Sequence, residues 1–447
     1  MHRICSTGVP PCHRVSSDFL LLLFSSSRSG CFRVTTSISR VHPSWIIVLA
    51  GVSAALHIGK LPPAVSALRQ AMGISLVQAG FLLSTVQLAG MALGLVVGLG
   101  ADAWGLRRSM LCGLSLLAAA SMVGAFASTF PFLLVLRAVE GLGFLLVVMP
   151  APAIIRRTVP VALMSARMGW WGAYMPLGSA LALALGAWIL TTWSWPVWWL
   201  VLGGVSALAW MAVWVAVPAD TPPSASGPTV MPGTGSPQAA AGWRSRLLLT
   251  LRSPGPWLVA LGFAVYSSQW MAVIGFLPTV YAEGGLSAIV SGVLTALVAL
   301  SNMAGNVVSG RLLQRGWPPA RLLRIGFVCM GLCAAAAYAH WGGAPLLPLP
   351  LRFVCVLFFS AVGGLIPGTL FTTAVQMAPS EGTVSTTVGF MQQWSAAGQF
   401  FGPPLVAAVA TVMGGWQWTG AVTGVLCVAG CAVAAGIAGK GPRHSGV

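Results

Sequence analysis

The stretch FLLVLRAVEGLGFLLVV, Phe132 to Val148, holds an arginine and a glutamate three residues apart in otherwise apolar surroundings. At i and i+3 on a helix, Arg137 and Glu140 share a face and can neutralise each other. A second run, HIGKLPPAV, sets His57 one helical turn before Lys60. Charge inside apolar sequence has few uses. Cations attract an anion, a carboxyl or imidazole shielded from water can exchange a proton near neutral pH, and a mutually satisfied pair ties one helix to another. Lys60 and Arg137 are therefore candidate groups for an anion, and Glu140 and His57 are candidate proton carriers. Snorkelling to the surface is the competing role for Lys60, as a plain interhelical tie is for Arg137 and Glu140.

The 447 residues are 57% hydrophobic and 6% charged, with 54 glycines and a mean hydropathy of +0.87. A water-soluble globule cannot hide that much apolar surface, so much of it must face lipid. Roughly 20 apolar residues cross a bilayer as a helix. About twelve such runs are present, near 44–65, 76–98, 108–128, 131–153, 165–190, 195–217, 256–280, 286–308, 322–341, 351–372, 385–412 and 416–438. The expected fold is all-α, a polytopic membrane protein of twelve transmembrane helices in two six-helix bundles.

A net charge of +17 invites a nucleic-acid reading, but the 23 basic residues are distributed otherwise. Nineteen fall in the N-terminal tail, the C-terminal tail and alternate loops, and only Lys60, Arg69, Arg137 and Arg352 lie elsewhere. By the positive-inside rule that side is cytoplasmic, which sets both termini inside a cell membrane and requires an even number of spans. The cysteines contain no CxxC; Cys329/Cys333 and Cys427/Cys431 are spaced as neighbours on a helix face, where packing is their role, so no metal or other cofactor is expected.

Residues 1–43 are Ser- and Arg-rich and unlike the rest of the chain, as in a transit peptide, a stretch upstream of the true start, or disorder. PADTPPSASGPTVMPGTGSPQAAAG, Pro218 to Gly242, is a linker that packs no element of its own. The expected divisions are a tail 1–43, bundles 44–217 and 254–439 joined by a cytoplasmic linker 218–253, and a tail 440–447. Equivalent positions recur between the bundles: GKLPPAV at Gly59 with GFLPTVY at Gly275, an offset of 216; Leu136-Arg137 with Leu351-Arg352, an offset of 215; Gly98 with Gly310, an offset of 212. A parallel repeat explains all three.

GLGADAWGLRRSM, between the second and third runs, resembles the signature loop of the major facilitator superfamily at Gly98, Asp102, Gly105, Arg107 and Arg108. RAVEGLG is similar to that superfamily's fourth-span motif through Arg137 and Gly141, and GKLPPAVSALRQAMGISLVQAG resembles its cyanate-permease-like carriers. GWWGAYMPLG departs from the pattern of drug/proton antiporters, having Pro176 without their Gly-Pro signature. The resemblance implies a secondary transporter working by alternating access as a monomer, with the loop as a gate: glycines for close approach and a tight turn, and an acid flanked by arginines that latches in one state. The second-half loop GRLLQRGWPPAR keeps Gly310 and Arg315 but has Gln314 where an acid would stand, so a weaker latch is expected there.

With both termini inside, Lys60 stands about 24 Å up the first helix and Arg137 about 9 Å down the fourth, at similar depth, with His57 and Glu140 a turn deeper. Arg352 is so near the start of its run that snorkelling is expected of it. Lys60 corresponds to Phe276 and Glu140 to Cys355, so the repeated scaffold demands neither charge. Tyr174, Gln269, Trp270, Asn302, Gln392 and Gln393 are the neutral candidates for lining a pocket.

The expected partners are a small, anionic solute, a coupling proton and the lipid bilayer, with no nucleic acid. A proton-driven exporter of amphiphilic compounds is the rival carrier, and a non-transporting receptor or scaffold the rival of another class. An enzyme is not expected, since no HExxH or P-loop pattern occurs.

Overall fold

The structure is a computed structural model that describes residues 42–95, 105–160, 167, 170–220, 243–341, 343–380 and 383–439. Twelve helices among them are long and apolar enough to cross a membrane: Pro43–Met72, Leu76–Leu95, Leu106–Gly124, Phe130–Thr158, Tyr174–Thr192, Trp195–Ala216, Pro254–Glu283, Ala288–Gln314, Pro319–Tyr338, Leu349–Met377, Val384–Val412 and Trp416–Ala438. They are numbered as spans one to twelve. Large apolar side chains remain on the outside, among them Phe126, Leu208, Val215, Val412 and Val428, as a lipid-facing surface requires. A short helix, Trp243–Arg252, leads into the seventh span, and a two-residue hairpin pairs His340–Trp341 with Ala344–Pro345 between the ninth and tenth.

Three spans are interrupted at prolines. The first divides into Pro43–Gly59 and Leu61–Met72 because Pro62 and Pro63 lack the N–H groups that would bond the carbonyls of Ile58 and Gly59. The fourth divides into Phe130–Val148 and Ala151–Thr158 around Pro150 and Pro152, and the tenth into Leu349–Gly363 and Leu365–Met377 before Pro367. Pro152 and Pro367 are 215 apart, so that break recurs at the offset of the repeat, whereas Pro278, 216 after Pro62, lies inside the continuous helix Pro254–Glu283. Span one runs to Met72, past the expected 65, because its polar end continues as helix beyond the break.

Spans one to six pack chiefly on one another, as do seven to twelve; the two sets meet where span two packs on eleven, five on eight, and the Leu61–Met72 segment on seven. At the end of the bundle bearing Met72 and Trp416, one apolar cluster takes Leu61, Leu82 and Leu83 from the first set together with Phe276 and Ala407 from the second. At the arginine-rich end, the cluster around Leu106, Met110, Ile155 and Val213 belongs to the first set alone. The halves thus share a core at one end and keep separate cores at the other.

Candidate functional site

The four titratable residues picked out in the first half meet in one cluster, and none is more than 1% exposed. The break in span one brings Lys60 to it. Lys60 Nζ donates to Glu140 Oε1 and to Ser121 Oγ at 3.1 Å, and it lies 4.5 Å from the ring centre of Trp199. Trp198 Nε1 donates to the Lys60 carbonyl at 3.1 Å, so the broken backbone is held by span six. Arg137 Nη1 donates to Glu140 Oε2, the i, i+3 pair read from the sequence. The carboxylate is shared: one oxygen serves Lys60, the other Arg137.

Arg137 also repairs two helices. Its Nη1 donates to the His57 carbonyl at 2.9 Å, and its Nε to the Leu82 carbonyl at 3.2 Å. Leu82 has a carbonyl to spare because the helix of span two is disrupted at Val86, whose N–H turns to Ser84. Gly141 lies against that disruption, where a Cβ would overlap the Val86 carbonyl. His57 Nε2 bonds Ser206 Oγ at 2.8 Å, while its Nδ1 faces Glu140 Oε1 at 3.6 Å without a hydrogen bond. The side chains of all four residues, which start about one helical turn apart along spans one and four, converge on the Glu140 carboxylate. With a neutral imidazole the cluster holds, among the described residues, two cations against one carboxylate, and Arg137 Nη2 has no partner among them.

In the second half, Asn302 Nδ2 donates to Tyr266 Oη at 2.8 Å and to the Ser360 carbonyl at 3.0 Å, and Trp270 Nε1 donates to Ser360 Oγ at 3.2 Å. Trp270 and Asn302 are thereby joined. Gln269 is not: its Oε1 accepts from Cys427 Sγ of span twelve at 3.2 Å, on another side of span seven. Gln393 Nε2 donates to the Met91 carbonyl at 2.7 Å across the seam between spans two and eleven, Gln392 is half-buried, and Tyr174 stacks on Trp171 with ring centres 4.3 Å apart. Arg352 is half-buried, its Nε donating to the Ala337 carbonyl at 2.8 Å near the end of span nine.

Of the loop residues, Gly98 and Asp102 lie outside the described residues. Gly105 has φ +105° and begins the turn into span three, a conformation that favours glycine. The acid found at this turn is Asp220, just after span six, whose two oxygens accept from the backbone N–H groups of Arg107 and Arg108, each at 3.0 Å. Asp220 escaped the sequence reading because its donors are main-chain groups, for which residue types carry no signal. The Arg107 side chain reaches the Trp214 carbonyl at 2.6 Å, while Arg108 and Arg315 are exposed. Among the described residues nothing lies within 4 Å of where a Cβ on Gly310 would stand.

Twelve spans in two repeated, proline-broken sets around buried charge define a polytopic membrane transporter. The chain belongs to the major facilitator superfamily, whose pattern matches residues 47–403, and so is a secondary transporter of a small-molecule solute and not an enzyme. It is 26% identical over 365 residues to the Cyanate transport protein CynX of Escherichia coli (strain K12), covering 78% of this chain and 84% of that one. It is 31% identical over 353 residues to a Chloramphenicol resistance protein of Streptomyces lividans, covering 75% and 81%. Among solved structures, a bacterial homolog of the human lysosomal transporter Spinster, inward-facing and occupied, superimposes with a TM-score of 0.71 at 14% identity over 88% of this chain and 96% of that one.

Proposed function

We propose that the protein carries a small monovalent anion across the cytoplasmic membrane by alternating access, coupled to a proton, with its arginine-rich end and both termini in the cytoplasm. The observation that carries this reading is the charge imbalance of the buried cluster: Lys60 and Arg137 share one carboxylate, Glu140. Buried charge in a membrane is costly, and an unbalanced cation more so. An anion arriving alone would neutralise the excess. If Glu140 takes a proton as the anion binds, the cluster keeps its original charge and the cations are freed from Glu140 for the ligand, which gives a one-to-one coupling of anion and proton. Ile58 and Val86, next to this region, form a small apolar cluster with Met271 of the second half. The relative named for cyanate, a small monovalent anion, supports the same substrate class.

A second reading is favoured by the Chloramphenicol resistance relative and by the aromatic side chains of the Trp171–Tyr174 stack and the Trp257–Trp394 pair: a proton-driven exporter of amphiphilic compounds. Proteoliposomes separate the two. Labelled cyanate and other small anions should enter faster under an imposed proton gradient; Lys60→Ala should slow this about tenfold or more, the loss of one charge-assisted contact; and Glu140→Gln should remove the response to the gradient while anion exchange persists. Equal rates for wild type and Lys60→Ala with every anion would defeat the proposal, and gradient-driven extrusion of amphiphiles alone would select the exporter.

A further inference from the structure

The repeat sets Arg352 where Arg137 stands in the first half, each twelve residues ahead of its span's break, counted to Met149 and Gly364. Arg137 has a carboxylate three residues on. Arg352 has Cys355 there. Among the described residues Arg352 forms no ion pair, and its only hydrogen bond is from Nε to the Ala337 carbonyl, leaving both Nη groups unused. The nearby acid Glu283 is turned to Trp416, whose Nε1 donates to its Oε2 at 2.8 Å.

Arg352 lines a small cavity between spans seven, nine and ten, together with Tyr281, Tyr338, Leu277, Val280 and Val356. The cavity leaves about 10 Å³ to the centre of a water-sized sphere, room for one small ion or water. Tyr281 is 2% exposed and its hydroxyl has no hydrogen-bond partner; Tyr338 is 3% exposed and its hydroxyl also has none among the described residues. A guanidinium and two phenols offer donors, the other named walls are apolar, and no carboxylate competes. The Tyr281 hydroxyl is buried, and such groups are rarely left unsatisfied, while half-buried Arg352 has no counter-charge among the described residues.

We propose that this cavity binds one monovalent inorganic anion of halide size, held by the Arg352 guanidinium and the Tyr281 and Tyr338 hydroxyls. It supplies from solution the counter-ion that Glu140 supplies in the first half. The site is separate from the Lys60 cluster and does not depend on what the protein carries.

The test uses the purified full-length protein in detergent, with thermal unfolding followed in sodium bromide against sodium gluconate at equal ionic strength, and crystals grown in bromide examined for anomalous scattering. Wild type should show a saturable bromide-dependent rise in Tm and an anomalous peak between Arg352 and the two phenols. Tyr281→Phe should weaken the apparent bromide affinity about tenfold, as expected for one hydrogen bond to a charged group, and Arg352→Gln should abolish the dependence. Should Arg352→Gln fail to fold, Tyr281→Phe and the anomalous map decide. An unchanged bromide response in Tyr281→Phe or Arg352→Gln, or a water without anomalous signal in the cavity, overturns the proposal.

Discussion

At the scale of single residues, Glu140 and Lys60 are not equivalent partners. Removing Glu140 leaves two buried cations with no counter-charge, whereas removing Lys60 leaves Arg137 and Glu140 balanced. Glu140→Gln should therefore destabilise by about 3–5 kcal/mol, the cost of breaking a buried pair, and Lys60→Met by clearly less. Thermal unfolding of the two variants in one detergent checks this, and a larger loss for Lys60→Met would show that the cluster carries no excess positive charge. Arg137 and Glu140 were legible as a pair because helical spacing alone puts them on one face, and Lys60 and His57 because charge is conspicuous in apolar sequence. The carbonyls of His57 and Leu82, which take up the rest of Arg137, were not legible: a backbone acceptor is freed only by a distortion in its own helix, and residue types do not report which carbonyl that will be.

At the scale of elements, the hydropathy of each run settled where helices form, since twelve apolar stretches have little choice in a bilayer. The consequences of their interruptions were hidden. Pro62 and Pro63 announce a break, but not that Trp198 of span six would donate to the Lys60 carbonyl beside it, nor that Lys60 and His57 would both face Glu140. Replacing both prolines by alanine restores two backbone donors and lets span one run straight. Alanine also stands some 3 kcal/mol above proline in helix preference. Pro62→Ala/Pro63→Ala should thus transport more slowly than wild type, because a straight helix swings Lys60 out of reach of Glu140, and the broken buried pair should offset the gain in helix preference, leaving no net stabilisation. A melting curve and proteoliposome uptake on the same preparation test this; wild-type uptake would mean that the break does not position Lys60.

At the scale of the whole molecule, the two halves touch along polar as well as apolar lines, and that mixture is what a seam needs if it is to slide. Gln87 Nε2 donates to Gln399 Oε1 at 2.9 Å and Gln393 Nε2 to the Met91 carbonyl, both between spans two and eleven. The sequence marked Gln393 as a ligand candidate, and its hydrogen bond assigns it at least this second, interhelical task. Two six-helix sets were legible from the linker and the repeat, but not which spans face across the seam, since all of them are apolar. Rocking of one half against the other must change the spacing of spans two and eleven, so a covalent tie there should arrest it. A Cβ on Gly94 would stand 3.9 Å from the Gln393 Cβ, inside the range that a disulfide spans. In a background with the nine native cysteines replaced by serine, Gly94→Cys with Gln393→Cys should crosslink under mild oxidant and stop uptake, and reductant should restore it. The single variant Gln393→Cys controls for the lost Gln393 hydrogen bond, since it loses that bond without gaining the tie. If the crosslinked protein turns over at the rate of its reduced form, spans two and eleven move as one body, and the alternation must occur elsewhere in the bundle.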